Sequence, residues 1–266
     1  MQTEWQVVGQ SVRGATHDRN GLPNQDAIHW LPSSGRGSSV VLAVADGHGS
    51  ARYPRSHTGA QIAVDVATKL IDEFLNSQAD NLSLIKDATE EWLPRTLVRN
   101  WTEAVAEDLK ADPDESTPVA YGTTLLAAAV TEHFALYLQL GDGDILTVSN
   151  SGVVSRPLPK DERLLGNETT SLCAADAWRD FRVSFQLLRQ SHPALILLST
   201  DGYPNSFRDE SGFLQVGSDL LSMIQQHGLA RVNDSLAGWL SDSTHAGSGD
   251  DVTLGIIYYP QITQID

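Results

Sequence analysis

The sequence predicts an α+β fold in which mainly antiparallel sheets are covered by helices. Two observations carry this expectation. Short strand-like apolar runs recur along the chain, at 40–45, 123–130, 133–140, 194–199 and 252–259. Helical periodicity is instead gathered into blocks between those runs, at 57–109 and roughly 216–241. Strands with helices grouped between them, rather than strict alternation of the two, favour antiparallel sheets under a helical cover.

Taken in chain order, Val40–Ala45 (VVLAVA) is short, β-branched and apolar throughout, which reads as a buried strand. From His57 to Asn76, apolar residues recur at Ile62, Val66, Leu70 and Phe74, the i+4 spacing of an amphipathic helix. A second helix is expected through Leu97, Trp101, Val105 and Leu109, with Pro94 starting or kinking it. Strands return at 123–130 and 133–140. Gly141-Asp142-Gly143-Asp144 then leads into Ile145–Val148, and Asn150-Ser151-Gly152 has the composition of a hairpin turn. Residues 157–178 show weak periodicity and many polar side chains, and read as a loop insert. Ala194–Ser199 is another buried strand, 216–241 is helical, and Val252–Tyr259 closes the chain as a strand.

The bulk numbers bound the function. With 266 residues, 41% of them hydrophobic, the chain can bury a substantial core. Eighteen Lys and Arg against 34 Asp and Glu give a net charge of −16, which repels nucleic acid and anionic lipid. It also repels phosphorylated substrates, so a phosphate enzyme of this charge needs cations at its site. The single cysteine, Cys173, forms neither an internal disulfide nor a cysteine-rich zinc site, and a reducing cytoplasm is the simplest compartment. Met1-Gln2-Thr3-Glu4-Trp5 has no basic and apolar leader character. No apolar run reaches the ~20 residues that span a bilayer.

Three apolar runs meet aspartates at their ends. Val40–Ala45 runs into Asp46-Gly47-His48-Gly49, Ala194–Thr200 into Asp201-Gly202, and Asp250-Asp251 immediately precedes Val252. A strand holds a carboxylate at its end in a fixed place. Several such groups converging form an oxygen-rich pocket for hard cations such as Mg²⁺ or Mn²⁺. Glycine after aspartate lets the backbone approach closely enough for its carbonyl to join the shell. Any one Asp-Gly alone reads as a turn. The ordered set is what points to a metal site.

That set resembles the protein phosphatase 2C family of metal-dependent serine/threonine phosphatases. The matching stretches are Asn24-Gln25-Asp26-Ala27, Val44-Ala45-Asp46-Gly47-His48-Gly49, Tyr121-Gly122-Thr123-Thr124, Leu140-Gly141-Asp142-Gly143, Leu198-Ser199-Thr200-Asp201-Gly202 and Gly249-Asp250-Asp251-Val252-Thr253. The resemblance implies a four-layer α-β-β-α sandwich and one catalytic domain over residues 1–266, with 157–178 as a short, bacterial-like variable flap. It implies that Asp46 bridges two Mn²⁺ or Mg²⁺ ions, with the Gly47 carbonyl on one and Asp201 and Asp250 on the other. Asp26 would bind near the metals, directly or through water. Asp142 resembles the position that helps hold a third, weaker ion in bacterial members, although its stretch also reads as a plain hairpin turn. His48 resembles the proposed general acid, and Gly122-Thr123-Thr124 a structural approach to a core strand.

Two departures stand out. Gln25 replaces a frequent glutamate, and Gln25→Glu would tighten one metal if that side chain faces the site. No arginine stands three residues after Gly14, where many members hold the substrate phosphate. His17 occupies that spacing, with Arg13 and Arg19 nearby, and which of the three, if any, binds phosphate stays open. The implied activity is hydrolysis of phosphoserine and phosphothreonine in proteins, the products of a serine/threonine kinase, by a monomeric enzyme using metal-activated water. A catalytically weakened sensor scaffold and a small-molecule phosphatase of the same fold are the alternatives. A two-metal nuclease disagrees with the acidic surface and the lack of a basic stripe.

Overall fold

Strands apolar at nearly every position are those buried on both faces, and five of the described strands are of this kind. In β4 (Val40–Asp46), β5 (Leu125–Val130) and β6 (Phe134–Leu140), successive residues point to opposite faces. Val41, Ala43, Ala45, Leu125, Ala127, Leu136 and Leu138 pack under helices, while Leu42, Val44, Leu126, Ala128 and Tyr137 meet the other sheet. The same division holds in β10 (Leu195–Ser199) and β11 (Val252–Tyr258), whose Leu195, Leu197, Leu254 and Ile256 face helices while Ile196, Leu198 and Ile257 face inward. The computed structural model describes residues 4–77, 82–111, 117–163, 169–189 and 192–260.

Two antiparallel sheets result. The first carries β1 (Trp5–Val12), β3 (Arg36–Gly37), β7 (Asp144–Val148) and β8 (Val154–Ser155) with β10 and β11, in the order β3-β1-β11-β10-β7-β8. The second has the order β2-β4-β5-β6-β9, with β2 at Asp26–Leu31 and β9 at Arg182–Leu187. Helices α2 (Ser56–Ser77) and α4 (Trp92–Ala111), with α3 (Leu82–Glu90) beside them, cover the second sheet. Helices α5 (Glu210–His227) and α6 (Leu229–Ala246) cover the first. The four layers are those the resemblance implied.

Several elements differ from the sequence expectation. The helical stretch at 216–241 is two helices, separated at Gly228 with φ +83° and opened by the Asp209 carboxylate accepting from Gly212 N. Pro94 sits in the first turn of α4, where its missing N–H costs nothing, so it starts the helix and does not kink it. A short helix α1 (Ala15–Asn20), helix α3 and the edge strand β9 were not anticipated. Gly141-Asp142-Gly143-Asp144 is no hairpin, because β6 and β7 lie in different sheets and the stretch crosses between them. The true hairpin is at 149–153, where Ser149 N donates to Val153 O (2.9 Å) ahead of β8. The insert is irregular apart from a 3-10 turn at Ala177–Arg179, and its residues 164–168 lie outside the described residues, as does Met1–Thr3. Among the described residues no helix is long and apolar enough to cross a membrane.

Candidate active site

Antiparallel pairing brings the end of one strand to the start of its neighbour. Asp46 at the end of β4 stands opposite Asp26 at the start of β2, and the end of β10, before Asp201, meets the start of β11, after Asp250. One edge of the sandwich thereby gathers the carboxylates. A cleft of about 880 Å³ opens there, lined by Asp46, Asp142, Asp180, Asp201 and Asp250 together with His48, Tyr53 and Arg163.

Asp46 is held from the side by the Thr123-Thr124 pair. Asp46 N donates to Thr124 Oγ1 (3.0 Å), while Thr124 N and Thr123 Oγ1 both donate to the Asp46 carbonyl (2.8 Å each). Gly47 bridges to Thr123, and a Cβ there would lie 2.7 Å from Gln25 O and 2.8 Å from the Ser56 backbone, so only glycine fits this approach. Asn205 Nδ2 donates to Asp201 Oδ2 (3.0 Å), and Thr169 Oγ1 to Asp142 Oδ1 (2.9 Å). Asp26 is buried behind the cleft wall, its Oδ2 taking the Thr200 hydroxyl at 2.6 Å with Thr253 Oγ1 at 2.7 Å.

Burial pushes the carboxyls of Asp26 and Asp46 well above their ordinary range, and the charges of Asp201 and other neighbouring aspartates add to the effect. Burial likewise raises Asp201 to about 6; a hydrogen bond from Asp46 opposes this, and Asp142 and Asp250 reinforce it. Asp250 is raised too, by burial and then by Asp251. Carboxyls this close that resist ionisation are a donor set of hard oxygens lacking positive charge, the chemistry that fits divalent cations. Burial lowers the His48 pKa, and the charge of Asp142 partly restores it.

This electrostatic arrangement has a measurable consequence without metal. Each raised carboxyl favours the folded state below its unfolded pKa, near 3.8, and loses that contribution as pH rises through its folded value, about 6 for Asp201. The melting temperature of the metal-free protein should therefore rise on acidification from about pH 7 to pH 5. Saturating Mn²⁺ should raise it at pH 7 and flatten the dependence. Asp201→Asn should make the metal-free rise shallower, which separates the cluster from the general relief of a −16 charge.

Asp250 and Asp251, adjacent in sequence, part company. Asp250 reaches the cleft, whereas Asp251 is buried and accepts Gly14 N (2.6 Å), Gln25 N (2.6 Å) and, at 2.9 Å, pairs with His17 Nδ1. His17, Asp250 and Asp251 bring ligand atoms within 4.8 Å of one another, but Asp251 already spends both oxygens on these partners, so the trio reads as a latch for the 14–25 segment. None of the three residues considered for substrate phosphate lines the cleft. His17 is drawn inward by Asp251, Arg13 pairs with Asp18, and Arg19 Nη2 donates to Thr16 Oγ1 at 3.0 Å. The only guanidinium on the cleft wall among the described residues is Arg163 of the insert, paired with Asp161 (2.7 Å) and Asp180 (3.3 Å). Nothing in its sequence context singled it out.

Gln25 is also away from the cleft lining. Its Nε2 donates to Ser56 Oγ (3.0 Å), and its buried Oε1, which faces Gly49, has no hydrogen-bond partner among the described residues. A glutamate here would bury a charge beside Asp251 and Asp26. Gln25→Glu is thus expected to lower stability by about 2 kcal/mol or more without tightening Mn²⁺, as thermal melts and calorimetric Mn²⁺ titration would show. Cys173 is free and partly buried, with its Sγ 3.2 Å from Ser171 Oγ, outside the cleft lining.

The profile of the protein phosphatase 2C family matches residues 13–241. Among solved structures, the chain resembles PppA of Pseudomonas aeruginosa, a regulatory component of the T6SS (19% identity, 96% of this chain and 98% of that one, TM-score 0.62). It also resembles the serine/threonine phosphatase Stp1 of Staphylococcus aureus (17%, 98% and 96%, TM-score 0.61). A third similar structure is the catalytic domain of the phosphatase PstP with two manganese ions (18%, 98% and 100%, TM-score 0.60). The curated proteins contain no match. With the family profile spanning most of its length and its two-sheet architecture shared with these structures, the chain belongs to the protein phosphatase 2C family and is a metal-dependent protein serine/threonine phosphatase.

Proposed function

We propose that the chain removes phosphate from phosphoserine and phosphothreonine side chains at the carboxylate cleft, with Mn²⁺ or Mg²⁺ as cofactor. The observation that carries this reading is the convergence of Asp46, Asp142, Asp201 and Asp250 with His48 on one 880 Å³ cleft. Asp46, the Gly47 carbonyl, Asp201 and Asp250 would hold two cations, with Asp26 supporting Asp46 from behind and Asp142 serving a third, weaker ion. When bound, such ions neutralise phosphate oxygens and lower the pKa of water enough to supply hydroxide near neutral pH.

The protein's own groups then divide the remaining work. The strand ends fix the donor atoms. Arg163, at the rim, can exchange its carboxylate partners for a substrate anion, offsetting part of the net −16. His48 protonates the departing serine or threonine oxygen, a contribution of ~10²–10⁴-fold for a poor leaving group. No side-chain nucleophile is needed, and Cys173 takes no part. The natural substrates are the products of a serine/threonine kinase, met by a monomer in a reducing cytoplasm, in keeping with the single free cysteine.

The test is Mn²⁺-dependent phosphate release from phosphothreonine, phosphoserine and phosphotyrosine peptides. Release from the first two with little from the third supports the reading. Silence on all three, with Mn²⁺ still bound, would replace it with a metal-binding scaffold.

A further inference from the structure

His48 has an unusual means of support. Among the described residues no carboxylate or carbonyl bonds its imidazole nitrogens, although an acid–base histidine is commonly oriented by such a partner. Its backbone N donates to Gly122 O (3.0 Å), and its ring meets the Tyr53 ring edge-on, with centroids 4.8 Å apart and planes at 64°. Tyr53 is itself fixed at both ends of its peptide. Its N donates to Ser50 O (2.9 Å), its carbonyl accepts from Ser56 N (3.1 Å) at the start of α2, and Arg52 lies over its ring at 5.6 Å.

Gly122 reports independently on the same packing. A Cβ at that position would stand 2.5 Å from Tyr53 Cδ1, 2.7 Å from Tyr53 Cε1 and 2.8 Å from His48 Cδ2. Its backbone, at φ −50° and ψ 127°, is open to any residue. The glycine is therefore required by the two rings and not by the turn. Both rings rest on one patch of main chain, which in turn continues into the Thr123-Thr124 pair that holds Asp46.

We propose that Tyr53 is a positioning residue for catalysis: its ring, seated on Gly122, sets the angle at which the His48 imidazole faces the leaving oxygen. This rests on the reading of His48 as proton donor. An edge-on aromatic contact is worth little energy, about 0.5–1.5 kcal/mol beyond its buried area. It nevertheless removes rotamer freedom from a group that has no hydrogen-bonded orienter among the described residues, and small misplacements of catalytic groups cost far more in rate than in stability. The phenol oxygen is not needed for this role, so the ring alone should suffice.

The experiment compares Tyr53→Phe, Tyr53→Ala, Tyr53→Leu, His48→Ala and the double variant Tyr53→Leu/His48→Ala, all with Mn²⁺, on a phosphothreonine peptide and on 4-nitrophenyl phosphate. The leucine variant fills space without a ring and guards against simple loss of packing. Tyr53→Ala and Tyr53→Leu should lose about tenfold or more on the peptide and less than about threefold on the aryl ester, which leaves without a proton. Tyr53→Phe should stay within about twofold on both, and the double variant should be no slower on the peptide than His48→Ala. In the metal-free protein, the imidazole C–H resonance of His48, identified by its loss in His48→Ala, should carry a ring-current shift that survives in Tyr53→Phe and vanishes in Tyr53→Leu. Equal losses of Tyr53→Leu on both substrates, or a His48 resonance that does not move, overturn the proposal while an unequal loss in His48→Ala leaves the proton-donor reading standing. Equal losses in His48→Ala overturn that reading, and this proposal falls with it.

Discussion

Asp46→Asn and Asp201→Asn are each expected to reduce Mn²⁺-dependent turnover by ~10³-fold or more, while the metal-free proteins fold as well as the parent. The magnitude follows from the several kcal/mol that a bound cation contributes to a phosphoryl-transfer barrier, at about tenfold per 1.4 kcal/mol. The stability half follows from the cluster. Asp46 is half-buried beside Asp26, Asp201 and Asp250, and its ionised form is opposed by all three. An amide keeps the size of the side chain and removes one charge, so the metal-free melting temperature of either variant should equal or exceed that of the parent at neutral pH. The Thr123 and Thr124 contacts reach the Asp46 main chain, which the substitution does not alter. Activity, Mn²⁺ calorimetry and thermal melts with and without metal check the claim together. Near-parental activity in either variant would remove that residue from the metal shell.

The strand ends were legible because two-sided burial leaves a plain mark. Val40–Ala45 and Ala194–Leu198 are apolar at every position, and the aspartates that follow them fall at the sheet edge. Side-chain direction was harder to read. Asp250 and Asp251 carry the same charge at adjacent positions, yet one faces the cleft and the other is buried among N–H donors. Alternation just ahead of β11 would have separated them. His17 was placed by spacing from Gly14, and spacing does not say that Asp251 waits on the inner side. Arg163 and Tyr53 sit in irregular segments where no periodicity constrains direction, so their presence at the cleft emerges only from the fold. Strand β9 has alternating Val183, Phe185 and Leu187, but as an exposed edge it lacks the apolar density of the central strands. The crossing at 141–144 could not be told from a hairpin, because Gly-Asp composition marks a reversal or a crossing alike.

His48→Ala should slow hydrolysis of a phosphothreonine peptide by ~10²–10⁴-fold and that of an aryl phosphate far less. A threonine alkoxide is a very poor leaving group and departs with a proton, whereas a nitrophenolate departs without one. The position of His48 suits donation. It lies two residues beyond Asp46, on the wall of the same cleft, so a phosphate held at the carboxylate cluster places its ester oxygen within the reach of that wall. Burial works against the protonated imidazole, and Asp142 works for it. With His48 as the proton donor, the loss in His48→Ala should appear in kcat more than in KM. Initial rates on both substrates at saturating Mn²⁺ decide the matter. Equal losses on peptide and aryl ester would assign His48 to binding or structure, since a residue that only shapes the cleft has no reason to distinguish leaving groups.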